Sequence, residues 1–214
     1  MSSLLDSDPP SLVDAPALIG GAPCLDFANT VDDRTDAKPL DYLTSYPALL
    51  AWSLYAGVLS STEASRLQEL ARKEPARAEA ALGVALSARE AIYAVFAALA
   101  VEGQVRATLL TPLNRVLRRA GGAPRLIPEG TGARLAWEAG PQVNLDTPAC
   151  RMLGSAVGLL TIPDLPRVSQ CAAPDCSWLF LDLTRNHSRR WCRAEGCGVR
   201  NRFRRYYARH RKDA

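Results

Sequence analysis

Histidine is nearly absent from this 214-residue chain: His187 and His210 are the only two, and both fall close to its C-terminal end. Acid–base chemistry built on histidine is therefore excluded from everything before them. Long hydrophobic runs are missing as well. The longest, Ala91 to Val101, has 11 residues, against the roughly 20 needed to cross a bilayer as a helix, so no membrane segment is expected. No G-x-G-x-x-G, P-loop, H-E-x-x-H or G-x-S-x-G pattern occurs, which leaves phosphate cradles, zincin chemistry and nucleophile elbows without support. The start, MSSLLDSDPPSLVD, carries acids where a secretory leader carries Lys or Arg, and it lacks an apolar core region. Secretion is not expected, and a cytoplasmic protein is. Internal repeats and low-complexity tracts are also absent.

What is present describes a globular chain with one main domain and one short module: 48% hydrophobic residues, with 26 Lys or Arg against 22 Asp or Glu. Residues 1–18, rich in Ser, Pro and Asp, read as a mobile arm. A helical domain spans 19–162. Ala85, Ala88, Ile92, Val95, Phe96 and Leu99 recur at helical spacing and predict a core helix. Ser60 with Glu63 reads as a capping box for a helix through about Arg72, and Pro75 permits a new helix to start. RLIPEGTGARLAWE predicts a β-hairpin, and Thr147 before Pro148 predicts an N-cap for a helix through about Leu160. The stretch TIPDLPRVSQ, with its prolines at 163 and 166, reads as a linker over 163–170, leaving 171–214 as a separate module. The expected class is mainly α, with a small hairpin and a small metal-bound module.

Six cysteines in a reduced compartment favour metal or free thiols over disulfides. Cys24 and Cys150 stand alone. Cys171, Cys176, Cys192 and Cys197 form C-x4-C-x15-C-x4-C. Zinc prefers tetrahedral thiolates, and two turns that each aim a pair of sulfurs at one point close its shell. Four unrelated thiols or two disulfides are the rival reading. Size weighs against it, because a module of about 44 residues seldom folds on its core alone, whereas structural zinc contributes on the order of 10–16 kcal/mol in apparent terms. One structural zinc is expected, with no open position for catalysis. Its removal is expected to unfold 171–214 and leave the helical domain standing. Between the cysteine pairs, Trp178 and Phe180 alternate with Leu179 and Leu181, predicting a strand whose rings face the metal core. His187 reads as a loop residue, since four cysteines already satisfy the metal.

Charge divides along the same boundary. Residues 171–214 hold 11 Lys or Arg and 4 Asp or Glu, and the remainder is net acidic. After Gly198 no breaker interrupts VRNRFRRYYARHRK, which predicts a helix with Val199, Phe203 and Tyr206 turned toward the zinc core. A solvated face is the bland reading of such a charge run, yet Glu195 is the only acid between Arg185 and Lys212. Contact with nucleic acid is the better reading, through Arg189 and Arg190 on the loop gripping phosphates and Arg200, Arg202, Arg204, Arg205 and Arg209 on the helix.

The two cysteine pairs, FLDLTRNHSRRWC, and C-G-V-R before an arginine-rich helix resemble the CGNR zinc-finger family. PCLDFANTVDDR followed by LDYLTSYPALLAWSLYAGVLS resembles the ABATE domain that accompanies this finger in bacteria. The resemblance covers most of the chain and implies a bacterial transcription regulator, with the finger, folded around Zn2+, as its DNA-binding module and the larger domain as a candidate sensor of a small-molecule effector. It also carries Cys171, Cys176, Cys192 and Cys197 onto the family's ligand positions, and Gly198 and Arg200 onto its signature. Val199 departs from it, standing where the family has asparagine.

Within the larger domain, Asp26, Asn29 and Arg34 gather polar groups after Leu25 and Phe27. A ligand site is one reading, and helix caps or side-chain-tied turns are the other. The function expected is a zinc-dependent DNA-binding regulator that is not an enzyme. The alternatives are an adaptor whose finger binds an acidic protein surface and, more weakly, an enzyme using the Asp26 to Arg34 cluster.

Overall fold

A computed structural model describes residues 15–119, 123–129, 132–138, 142–162, 165 and 167–210. Among these the chain is mainly helical: α1 Pro23–Ala28, α2 Tyr46–Tyr55, α3 Ser61–Lys73, α4 Pro75–Glu102, α5 Ala107–Arg119, a hairpin of β1 Ala123–Glu129 and β2 Gly132–Glu138, α6 Thr147–Leu160, β3 Val168–Gln170, β4 Leu179–Leu181, a π-helical turn Ala194–Gly198, and α7 Val199–His210. Most of the arm expected over 1–18 lies outside the described residues. Its last part does not stand clear, since Pro16 is buried and Ala17 packs beside the cysteines.

Local chemistry explains where the helices start. Ser60 and Glu63 form the expected capping box, each side chain accepting from the other's backbone N–H. Ser45 caps α2 by accepting from Ala48 N–H at 3.2 Å, and Pro75 opens α4 where its missing N–H costs nothing. At α6 the expected cap is displaced by one residue. Thr147 is already helical, Asp146 takes the cap position, and the Thr147 hydroxyl accepts from Asn144 N–H at 2.9 Å.

α4 is the axis of the fold, packed by α1, α2, α3, α5 and α6 and by the small β3–β4 sheet. By length and composition it is the one described helix apolar enough to cross a membrane. Here its alanines let neighbours approach closely, and Ala85, Ala88, Ile92, Val95 and Phe96 are all buried. Leu99, the last residue of the predicted stripe, packs at the margin of the same core. Arg89 lies on that buried face with its guanidinium satisfied: Asp41 accepts two bonds at 2.7 Å, Thr30 Oγ1 one at 3.3 Å and Glu90 one at 2.9 Å. This pairing ties the long α1–α2 connection to the central helix.

The hairpin is antiparallel, with Ala123 opposite Glu138 and Glu129 opposite Gly132, and it lies beside α6. The stretch expected as a linker ends in structure. β3 pairs antiparallel with β4, Val168 opposite Leu181 and Gln170 opposite Leu179. β4 alternates as predicted, and the alternation divides two cores: Leu179 and Leu181 join Val168 in the main helical core, while Trp178 and Phe180 face the four cysteines. The boundary near Pro166 is one of sequence, not of packing.

Glu63 generates a pH-dependent prediction. Two hydrogen bonds from Arg151 of α6, at 2.6 and 3.0 Å, outweigh desolvation and, with Ser60, lower its carboxyl to about 2 from 4.5. The depressed value stabilises the fold above pH 4.5, and that contribution is lost as pH falls toward 2. Glu63→Gln is expected to cost about 1–2 kcal/mol at pH 7, the screened part of the full linkage. Urea unfolding at a series of pH values should show wild type and variant converging between pH 4.5 and about 2.

Candidate metal centre

The two knuckles and the loop between them are built by short-range bonds. At the first knuckle Cys171 N–H donates to Trp178 O at 2.9 Å, and Ala172 N–H reaches across to Arg190 O at 2.9 Å. Asp182, buried at the end of β4, organises the returning loop: it accepts from Thr184 N–H at 3.0 Å, Thr184 Oγ1 at 2.6 Å and Arg189 N–H at 3.0 Å. Burial opposes its ionisation, yet the bonds from Thr184 and Arg189 hold its carboxyl below the usual range. The π turn then swings Cys197 back to the other three, and Trp191 lies so close to Gly198 that a Cβ there would sit 3.2 Å from the ring. A side chain at Gly198 would have to push the Trp191 ring aside by a few tenths of an ångström.

All four sulfurs lie buried and within 4.8 Å of one another. Cys176 and Cys192 Sγ are 3.7 Å apart, Cys192 and Cys197 Sγ 3.5 Å. A tetrahedron of sulfurs at about 2.3 Å from zinc has edges of about 3.8 Å, so the spacing fits that ion. Four thiols this close do not all ionise unaided: hydrogen bonds from its neighbours favour the thiolate of Cys171 at the expense of the other three. Interaction with Cys171 and Cys192 pushes Cys176 well up, and burial raises Cys197. A divalent cation removes that penalty. Cys171 accepts from Cys192 N–H at 3.4 Å, and Arg200 Nη2 reaches Cys197 Sγ at 3.2 Å. Such donors offset the net negative charge of four thiolates around one Zn2+. Cys171, Cys176, Cys192 and Cys197 form one structural zinc site. His187 stands apart as expected, its ring nitrogen beside Asp182 O.

Asp26, Asn29 and Arg34, read either as a ligand site or as caps and ties for turns, make hydrogen bonds within the fold. Asn29 is buried and pairs its side-chain amide with the backbone of Leu179 through two bonds of 2.8 Å, imitating a neighbouring strand. Asp26 accepts from Gly20 N–H at 2.7 Å, and Gly20 O in turn receives Leu181 N–H at 2.8 Å. Gly21, at φ +82°, lets this segment pass over Leu181. Arg34 lies 3.9 Å over the Tyr93 ring, pairs with Glu90 and donates to Ala28 O, while its backbone N–H reaches Ser177 Oγ at 3.0 Å. These contacts are of the kind the second reading, as ties for turns and backbone, describes.

The arginines divide. Arg189 does not face outward as a phosphate grip: it stacks on Phe180 at 4.2 Å and donates to the carbonyls of Ile19, Leu181, Trp191 and Cys192, so its donors are spent inside the module. Arg190 is exposed. Arg204 forms a two-bond fork with Asp175, both at 2.8 Å, and Arg200 Nε lies 3.5 Å from the same carboxylate. The apolar seam of α7 does not turn inward. Phe203, Tyr206 and Tyr207 are 58%, 55% and 63% exposed, while the side of α7 that meets the first knuckle carries Arg200 and Arg204, paired with Asp175. Arg202 and Arg205 are exposed on the outer side. The side chain of Arg209 lies outside the described residues. Asp175, Asp182 and Trp191 escaped sequence reasoning. The D-x-T pattern at Asp182 is a local turn signal that would have found one of them.

Two measurements check this centre. Elemental analysis of reduced protein is expected to give one zinc per chain, with about four sulfurs near ~2.3 Å by X-ray absorption; nitrogen in the shell would exclude the site. Because Val168, Leu179 and Leu181 belong to the helical core, chelation is also expected to lower the denaturant midpoint of the helical signal, contrary to independent modules. An unchanged midpoint would mean that the helices stand alone. Asn29→Ala, which leaves the Leu179 N–H and C=O buried without partners, is expected to cost about 2–5 kcal/mol by the same assay.

Comparison with known families agrees with this architecture. The model of ABATE, described as "Putative stress-induced transcription regulator", matches residues 21–163, and that of the CGNR zinc finger matches residues 167–210. No curated protein matches the chain. Val199, which stands where the finger resembles an asparagine-bearing signature, serves here through its backbone, donating its N–H to the carbonyls of Ala194 and Gly196. With the first model covering more than half of its length and the second covering its four-cysteine centre, the chain belongs to the ABATE family and ends in a CGNR zinc finger.

Proposed function

We propose that the chain is a zinc-dependent DNA-binding transcription regulator that works in the bacterial cytoplasm and catalyses no reaction. One observation carries the reading: α7 leaves the zinc module with Arg202 and Arg205 exposed beside three exposed rings, and no carboxylate among the described residues pairs with either arginine. A helix so charged attracts phosphate, and its width suits the major groove. Zinc has a structural part only, since four sulfurs leave it no open position. Arg190, Arg202 and Arg205 are the groups we assign to nucleic acid, with Arg209 on the same helix. Arg189 is withdrawn from that set. The helical body takes the part of a sensor or dimerisation unit. Its effector site is not assigned to Asp26, Asn29 or Arg34, whose polar groups hold the fold.

The adaptor reading rests on the same charge, because an acidic protein surface also attracts arginine. Binding to duplex DNA fragments, repeated with an acidic protein as competitor, separates the two. Arg202→Gln and Arg205→Gln are each expected to weaken DNA binding on every sequence and to flatten the plot of log K against log salt by about 0.9 units. If both leave affinity and slope untouched while the acidic competitor still binds, the adaptor reading replaces this one.

A further inference from the structure

α7 is docked at one end. Its principal neighbour is the π turn that leads into it, and its large side chains Phe203, Tyr206 and Tyr207 are turned to solvent rather than to the body. Beyond the chain connection, three polar contacts among the described residues orient it. Arg200 Nη2 donates to Cys197 Sγ at 3.2 Å. Asp175, inside the first knuckle, takes Arg204 in a two-bond fork and Arg200 at 3.5 Å. A single carboxylate therefore holds two arginines one helical turn apart.

A carboxylate meets a guanidinium fork in the same geometry as a phosphate does. Asp175 thus fills the place that a nucleic-acid phosphate would take on Arg204. It is also preplaced by the chain, so it competes at high effective concentration. A phosphate approaching this face would meet the Asp175 charge as well as the arginines, and the four thiolates around Zn2+ add negative charge close by. At about 100° per residue, Arg202 and Arg205 lie on the side of α7 away from Arg200 and Arg204. The two pairs consequently differ in partner: Arg200 and Arg204, 54% and 48% exposed, share a half-buried carboxylate, whereas Arg202 and Arg205 face solvent alone.

We propose that Asp175 is a positioning residue that docks α7 on the first zinc knuckle and withholds Arg200 and Arg204 from the partner, confining the nucleic-acid footprint to the face that carries Arg202 and Arg205. This rests on the nucleic-acid reading above and specifies which arginines serve it. It also separates chemically similar residues on one short helix. Arg202 and Arg205 contribute to affinity in the wild-type protein, whereas Arg200 and Arg204 contribute only once Asp175 is neutral.

The test uses the full zinc-loaded chain and one duplex of fixed sequence, with zinc content checked for each variant. Log K is measured against log salt for wild type, Asp175→Asn, Arg204→Gln, Arg202→Gln and the double variant Asp175→Asn with Arg204→Gln. Asp175→Asn is expected to bind more tightly and to steepen the slope by about 1–2 units, as one or two further phosphates are neutralised at about 0.9 units each. Arg204→Gln is expected to leave the slope unchanged in the wild-type background and to lower it by about 0.9 units in the Asp175→Asn background. Hydrogen exchange of the α7 amides, measured without nucleic acid, is expected to quicken in Asp175→Asn while β3 and β4 keep their protection. Should Arg204→Gln flatten the wild-type slope as much as Arg202→Gln does, Arg204 already holds phosphate and the withholding is wrong. A wild type that binds no duplex overturns the nucleic-acid reading and the withholding together, and the docking then stands or falls on exchange: α7 amides indifferent to Asp175→Asn overturn it.

Discussion

Two hydrogen bonds between the Asn29 amide and the backbone of Leu179, both 2.8 Å and both buried, join the metal centre to the helices. β4 is three residues long and has a strand neighbour in β3. On its other side Asn29 supplies one donor and one acceptor where a second strand would have supplied them. Without them a buried N–H and C=O would be orphaned, at a cost of several times the net contribution of an ordinary hydrogen bond. Asn29 itself is held because α1 is buried on almost every side, with Cys24, Leu25, Phe27 and Ala28 in the core. The order of dependence runs from α1 packing to Asn29, from Asn29 to β4, and from β4 to the cysteines that flank it.

The strand transmits this order because its side chains alternate. Leu179 and Leu181 lie in the helical core and Phe180 lies against the cysteines, so a shift of one residue would turn both cores inside out. Arg34, Tyr93 and Gln170 add polar ties across the same junction: Gln170 Nε2 donates to Tyr93 Oη at 3.1 Å, and Tyr93 Oη to Ser177 O at 3.3 Å. Ile19 and Ala17 pack on the cysteine side from the N-terminal direction. A metal site that would be marginal as a free module is thus supported from three parts of the chain. The two cores meet along β4, which gives Leu179 and Leu181 to one and Phe180 to the other.

Electrostatics divide the finger in another way. Arg189 is held by carbonyls, and Arg200 and Arg204 pair with Asp175 while staying about half exposed, whereas Arg190 on the loop and Arg202 and Arg205 on the opposite side of α7 are exposed with no ion pair among the described residues. A count of arginines overstates the surface available to a polyanion, because guanidinium groups satisfy backbone carbonyls and carboxylates as readily as phosphates.

Local signals carried much of this protein in its residues alone. The capping box at Ser60 and Glu63, the proline start of α4, the apolar stripe from Ala85 to Phe96, the β1–β2 hairpin and the alternation through Trp178 to Leu181 each depend on neighbours a few residues apart, and each is legible for that reason. The cysteine spacing is of the same kind, since a tight knuckle brings two sulfurs together whatever surrounds it. Contacts between distant segments decided the rest. Asn29 meets Leu179 across 150 residues, Arg34 meets Ser177 across 143, and Arg204 meets Asp175 across 29. No periodicity records those meetings, so a polar cluster with two readings in sequence makes bonds to distant backbone, a linker ended in a strand, and an apolar seam on α7 faced outward. The sequence alone determined the metal ligands and those elements that carry caps, stripes or alternation, because their causes are local. The tertiary structure decided which polar groups remain free to act, because a side chain's availability depends on what the fold places against it.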